Sequence, residues 1–287
     1  MDIFIAIWTF ALGCCVGSFL NVCIWRIPRG MRINSPSRSV CPSCEHPLAW
    51  YDNIPLISYL MLRGRCRYCE EHISAQYPLV EAITGIVFVG IYLRQGLMLG
   101  TAPEQLIIMG LLTALLIMAS GVDITHLIVP DEISVFGIMA ALLAGLLLPE
   151  LHVGGEVYHT MTELTGIRMV DGLIGSAIGA VAGGGLVYAF AVLGALLFRR
   201  EALGLGDVKL MAMVGAFMGW KVAFFAFFLA PFFGLLYGIP LLLFRGQHLM
   251  PFGPFLSSAA VLVLMFRELA CSYLRPFEAM FKAILGL

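Results

Sequence analysis

Residues 201–220, EALGLGDVKLMAMVGAFMGW, set one carboxylate, Asp207, beside two glycines and a lysine at the mouth of a long apolar run. Of the 287 residues in the chain, 60% are hydrophobic and 12% charged, against about 25% charged in an ordinary soluble domain. A water-soluble core cannot enclose that much apolar surface. The run is therefore a bilayer span, and Asp207 stands at the edge of the hydrocarbon, where charge is costly. It is a helix cap, an ion site or half of a catalytic pair.

Working outward, apolar runs of about 20 residues, the length that crosses ~30 Å of hydrocarbon, predict about eight transmembrane helices. They lie near 3–25, 76–93, 105–122, 133–149, 171–198, 210–229, 230–244 and 255–274, the sixth and seventh merging around Pro231. The expected fold is an all-α polytopic membrane protein. The first run lacks a basic n-region and a small-residue cleavage site and carries Asp2, so it reads as a retained helix. Glycines 175, 179 and 183 in the fifth span, four residues apart, let another helix approach closely.

Basic residues set the orientation. Segment 26–75 holds Arg26, Arg29, Arg32, Arg38, Arg63, Arg65 and Arg67, seven of the 17. Arg199, Arg200, Lys209 and Arg245 fall on the same side, whereas loop 150–170 has one arginine and three glutamates. The N-terminus is expected outside, with the basic face cytoplasmic. The expected organisation is a first helix over 1–25, a soluble cytoplasmic insert over 26–75, and a transmembrane core over 76–287. No internal repeat or low-complexity tract stands out.

The insert carries CPSC at 41–44 and CRYC at 66–69. Two C-x-x-C pairs separated by 21 residues match a four-thiolate zinc site in which each pair forms a knuckle. Cys41, Cys44, Cys66 and Cys69 are the expected ligands. Disulfides are disfavoured in a reducing compartment, and Arg65 and Arg67 would help stabilise thiolates. With four protein ligands the zinc is structural, supplying folding energy to a segment too short to build a core. His46 and His72 are read as solvated surface residues. Cys14, Cys15, Cys23 and Cys271 lie in apolar runs and read as small core residues.

Among the acidic residues at this face, Asp131 in VPDEISVFG reads as an N-cap, and Asp207 can also cap. Asp123, in MASGVDITHLIVP, cannot: it closes the third span, facing the negative end of the helix dipole. Threading the spans places Asp123 and Asp207 at the same depth on the same face. At ~4 Å and an effective dielectric near 20, two carboxylates repel by about 4 kcal/mol, so one keeps its proton. The ionised member can activate water while the protonated one donates to a scissile carbonyl. Gly204 and Gly206 leave room for an extended substrate backbone. Lys209 either bears on the carboxylate or snorkels to the interface.

These residues resemble the bacterial prepilin peptidases, the type 4 prepilin-like leader peptidases. The resemblance runs over GSFLNVCIWRIPRG, CPSC, YDNIPLISYLMLRGRCRYC, QYPLVEAITG, DITHLIVPD and GLGDVKL, in the family's order. It implies an aspartyl endopeptidase of the inner membrane with Asp123 and Asp207 catalytic and Gly204 and Gly206 in its GxGD motif. It further implies prepilin or pseudopilin substrates cut at the cytoplasmic face, and N-methylation of the new terminus from S-adenosylmethionine, since the intact four-cysteine insert is typical of bifunctional members. No residue is assigned to the methyl donor; Asn21, the stretch to Arg32, the insert and Glu81 are candidates by location only. The expected partners are these substrates and membrane lipid, with no nucleic acid. GxGD alone is shared with presenilin-like proteases, so a membrane protease lacking methyltransferase activity is the alternative. An ion-coupled transporter, a reading of another class, fits less well because its site would lie mid-membrane.

Overall fold

The computed structural model describes residues 2–35, 39–41, 43–152, 165–199, 203–245 and 251–273, which fall into two compact units divided between His126 and Leu127. The described secondary structure is helical apart from two isolated antiparallel bridges.

In the first unit, α1 (Asp2–Arg26) passes into a 3-10 turn, Ile27–Arg29, that Gly30 stops at φ 63°. The insert follows, containing the one-turn helix α2 (Ile57–Met61). Then come α3 (Gln76–Ile91), which runs on as a π-helical segment over Tyr92–Met98, and α4 (Pro103–His126). Small residues set how closely α1 and α3 pack. A Cβ on Gly13 would lie 2.7 Å from the Gly85 Cα, and one on Gly17 2.7 Å from the Glu81 Cα. The two backbones therefore touch, as in small-xxx-small helix pairs. On α4, Met109, Leu112, Leu116, Ala119 and Val122 recur at three- and four-residue intervals and are fully buried, which makes a single packed stripe. Ile3, Phe4, Trp8 and Leu12 of α1 stay exposed, as befits a surface facing lipid.

In the second unit, α5 (Asp131–Leu147) and a 3-10 turn at Pro149–Leu151 precede α6 (Arg168–Phe198), α7 (Leu205–Arg245) and α8 (Gly253–Met265). A short α9 (Arg267–Tyr273) turns off α8 by 86°. The glycines read as packing residues serve that purpose. Gly179 of α6 abuts Gly215 of α7, Gly183 abuts Met211, and Gly175 receives the side chain of His152. Leu210, Met211, Met213, Val214, Ala216 and Phe217 of α7 are fully buried, so this helix is the spine of the unit.

The expected count of eight spans is not confirmed. Five helices among the described residues are long and apolar enough to cross a membrane, or six if the bent α8–α9 pair is one span. The expected spans at 210–229 and 230–244 are one helix that stays helical through Pro231; the backbone departs from helix at Gly219 instead, with φ 81° and ψ 166°. Glycine adopts that conformation without the Cβ clash any other residue would meet. The expected span at 133–149 is α5, whose 17 residues reach only about 25 Å, short of ~30 Å of hydrocarbon.

Candidate functional site

The two C-x-x-C pairs fold into near-identical knuckles. In the first, the Cys41 amide donates to the His46 carbonyl (3.0 Å) and the Glu45 amide to the Cys41 carbonyl (2.8 Å); in the second, Cys66 donates to Glu71 (2.9 Å) and Glu70 to Cys66 (3.0 Å). Glu45 and Glu70 both take left-handed conformations, at φ 56° and 58°. Bridges Val40–Pro47 and Arg65–His72 close the two loops. The four Sγ atoms lie within 4.8 Å of one another, with Cys41 and Cys69 at 3.9 Å. A Zn–S bond of about 2.3 Å gives a tetrahedral edge of about 3.8 Å, so the set fits one zinc ion. Burial pushes the Cys41 thiol up, but the Cys44 and Ser43 amides and the Cys44 and Cys66 thiols bring it down to about 7. At Cys69 the Glu71 amide pulls downward, and burial with the other three thiols pushes the group up to about 12.

The knuckles also hold each other. The His46 ring stacks on Tyr68 of the second knuckle at 3.7 Å between centroids, while remaining exposed, as the sequence led one to expect. Arg67, expected to support thiolates, instead donates through Nε (2.8 Å) and Nη2 (2.7 Å) to Oδ1 of Asp52. Its guanidinium lies over Tyr51, 5.3 Å from the ring centroid.

Beside the knuckles the first unit forms a partly open cavity of about 330 Å³. Asp52 lines it with a side chain only 2% exposed, and its Oδ2 is buried without a hydrogen-bond partner. Glu81 lines it from α3 and accepts a 2.8 Å hydrogen bond from the Leu56 amide. Leu56 sits at φ 60° and ψ −48°, a conformation that persists only where surrounding contacts fix it. Asn21 also lines the cavity and donates to the Tyr77 carbonyl at 3.0 Å. The candidates Asn21 and Glu81, named by location, therefore meet at one cavity.

In the second unit α7 starts at Leu205, which makes Gly204 its N-cap and Asp207 its N3 residue. The Asp207 carboxylate accepts from the Gly204 amide at 3.3 Å, and the Asp207 amide donates back to the Gly204 carbonyl at 3.1 Å. This is the side-chain half of a capping box, and Asp207 is buried. A Cβ on Gly206 would press on Val129 at 3.0 Å, whereas one on Gly204 would meet nothing closer than Asp207 itself, at 3.8 Å. Packing therefore explains Gly206 but not Gly204. Lys209 pairs with Asp131 at 2.6 Å, with both side chains partly or largely exposed. Asp131 is not the cap expected of it: the N-cap of α5 is Pro130, without a side-chain cap bond.

Asp123 lies in the last turn of α4 and is buried. It belongs to the first unit and Asp207 to the second. Glu201 and most of loop 150–170 fall outside the described residues.

A buried polar pair escaped the sequence reading. His152 Nε2 and Ser176 Oγ lie 2.9 Å apart, and the same hydroxyl donates to the Ala141 carbonyl at 3.2 Å. Burial pushes the His152 imidazole down to about 4, against a hydrogen bond with the Ala216 backbone, so it is neutral at pH 7. The knuckle repeat also escaped, although CPSCEHPL at 41–48 and CRYCEEHI at 66–73 display it as a 25-residue offset.

Residues 11–95 match the Bacterial Peptidase A24 N-terminal domain, and residues 110–239 match the Type IV leader peptidase family. The Prepilin leader peptidase/N-methyltransferase of Myxococcus xanthus is 38% identical over 242 residues, covering 84% of this chain and 64% of that protein. The protein of the same name from Aeromonas hydrophila is 32% identical over 285 residues, with 90% of each chain covered. The Type 4 prepilin-like proteins leader peptide-processing enzyme of Escherichia coli is 32% identical over 274 residues, covering 90% of this chain and 92% of that one. No solved structure matches the chain.

Proposed function

The chain belongs to the type IV leader peptidase family, and from that premise we propose that it cleaves the basic leader of prepilins or pseudopilins and N-methylates the exposed terminus. The observation that carries this reading is the alignment, over 90% of each chain, with a relative named for both activities. The chain is a multi-pass membrane protein, since its helices are long and apolar enough to span. The proposed setting is the bacterial inner membrane, with the N-terminus outside and the active site at the cytoplasmic face. The exposed side chains of Trp50, Leu60 and Met61 in the arginine-rich insert support contact with the lipid interface.

In the proposed cleavage, Asp123 and Asp207 act as a pair. A helix N-terminus favours negative charge and a C-terminus disfavours it. Asp207 at N3 of α7, held by the Gly204 amide, is therefore assigned the role of base toward the attacking water. Asp123, buried in the last turn of α4, is the acid that donates its proton to the scissile carbonyl. The open space at Gly204 is where the substrate backbone would pass. The core over 76–287 is assigned cleavage, and the insert over 26–75 is assigned the structural zinc.

When bound, S-adenosylmethionine would supply a methyl group from its sulfonium to the lone pair of the neutral amine, with the sulfide S-adenosylhomocysteine leaving and the amine giving up a proton. Incubation of purified protein with a prepilin and S-adenosylmethionine labelled in the methyl group tests both halves. The expected product is a shortened chain labelled at its new N-terminus. A cleaved, unlabelled product supports the presenilin-like alternative, and an uncleaved substrate contradicts the reading.

A further inference from the structure

We infer that segment 50–62 of the insert is an in-plane membrane anchor, sunk into the leaflet at the Arg26 end of α1 and resting on anionic phospholipid. The inference deepens, and rests on, the lipid contact of the proposed function. Depth carries it. The Leu56 amide donates to the Glu81 carboxylate, and Glu81 stands five residues into α3, about 8 Å along the axis from Gln76. Leu56, Tyr59 and Leu62 line the same cavity as Ser18. Ser18 stands eight residues before the end of α1, about 12 Å along that helix. Both helices are long and apolar enough to span. The segment between them therefore reaches below their ends, to about the 5–10 Å at which interfacial helices lie.

The face presented at that depth is apolar. Ile57, Leu60 and Met61 share one side of α2 at positions i, i+3 and i+4, and all three are exposed, Leu60 by 73% and Met61 by 77%. Trp50, Tyr51 and Ile54, also exposed, precede them. The protein holds the other side: Ser58 Oγ bonds the Tyr51 and Ile54 carbonyls, and the Tyr59 ring packs on Gly64, where a Cβ would stand 2.9 Å from it. So large an apolar display is unfavourable in water and is relieved among acyl chains. Charge identifies the headgroup. Asp52 is the one carboxylate between positions 50 and 65, and it is buried and paired with Arg67. Arg29, Arg32, Arg63 and Arg65 are exposed, which suits an anionic leaflet.

The test places the photoreactive residue benzoylphenylalanine at position 60 of the full-length protein, in nanodiscs of phosphatidylcholine and phosphatidylglycerol in equal parts. Adducts are identified by mass after irradiation, with a prepilin present. The same residue at position 86, exposed on α3, is the control for a side chain on a spanning helix. Phospholipid adducts are expected at both positions. At position 60 phosphatidylglycerol is expected to exceed phosphatidylcholine, by up to about fivefold per arginine, and the excess to shrink when Arg63→Gln and Arg65→Gln are combined. Adducts at position 60 with the prepilin or a second copy of the chain, or none with lipid while position 86 gives them, overturn the anchor. Equal yields from the two lipids overturn its anionic preference. Lipid adducts at neither position overturn the membrane reading itself. A second measurement uses lipid brominated on the acyl chain near the headgroup, which quenches tryptophan. Trp50→Phe is expected to lose part of the quenchable fluorescence, and an unchanged quenchable amplitude overturns the anchor.

Discussion

The close approach of α1 and α3 makes Gly17 a site where one methyl group has a calculable effect. In Gly17→Ala the new Cβ would stand 2.7 Å from the Glu81 Cα, 3.0 Å from Thr84 Oγ1 and 3.0 Å from the Val80 carbonyl. That is about 0.7 Å inside the 3.4 Å at which ordinary contact begins, and two of the three neighbours are backbone atoms that cannot rotate away. Overpacking of this kind costs about 1–3 kcal/mol. Replacing glycine by alanine within a helix returns about 1 kcal/mol through propensity, which leaves a net loss of about 0–2 kcal/mol. Gly185→Ala is the control, because a Cβ there meets open space and only the favourable part remains. The difference between the variants isolates the steric cost. At about 2–4 °C per kcal/mol, Gly17→Ala is expected to melt on the order of 5 °C below Gly185→Ala in the same detergent. Equal melting temperatures, or a higher one for Gly17→Ala, refute the close-packed geometry.

Purified protein is expected to hold about one zinc per chain by elemental analysis, lost in Cys41→Ser and in Cys66→Ser; a metal-free wild type contradicts the four-thiolate site. His152, with its ordinary value of 6.5 lowered to about 4, stays neutral in the folded state while the unfolded chain takes up a proton between those values. Stability is therefore expected to fall as pH drops from about 6.5 to 4, by about 3 kcal/mol when complete, and to be insensitive to this group above 6.5. In melting curves across that window His152→Asn is expected to flatten the dependence, and an unchanged slope would refute the assignment. Lys209→Ala breaks only an exposed ion pair with Asp131, so a stability loss below about 1 kcal/mol is expected, with leader cleavage near the wild-type rate. A large loss of cleavage would mean that Lys209 acts on the substrate.

What the residues disclosed in advance was chemistry with fixed spacing. C-x-x-C repeats dictate a knuckle because two thiolates three positions apart can share one metal, and the geometry at Cys41, Cys44, Cys66 and Cys69 follows. The glycines 175, 179 and 183 announced close helix contact by their four-residue period, while Gly13 and Gly17 carry the same period and went unread. Tertiary relations were less legible. Nothing in the local pattern says that Arg67 turns to Asp52, 15 positions away, rather than to the thiolates beside it. Nor does it say that Glu81 ties Leu56, or that Lys209 meets Asp131 across 78 positions. Span boundaries were least legible where hydropathy is continuous: between 205 and 245 composition does not mark a boundary, Pro231 looked like one, and the backbone breaks at Gly219.

In Asp207 a structural role and the proposed chemical role would coincide. It is a cap, through the Gly204 amide, and asparagine preserves that acceptor while removing the carboxylate. The most direct test of the account is therefore the leader-cleavage rate of Asp207→Asn and Asp123→Asn on a purified prepilin, with zinc content and melting temperature checked in parallel. Each variant is expected to keep both checks near wild type and to lose cleavage by at least about a hundredfold. Cleavage at the wild-type rate by either one contradicts the aspartate pair.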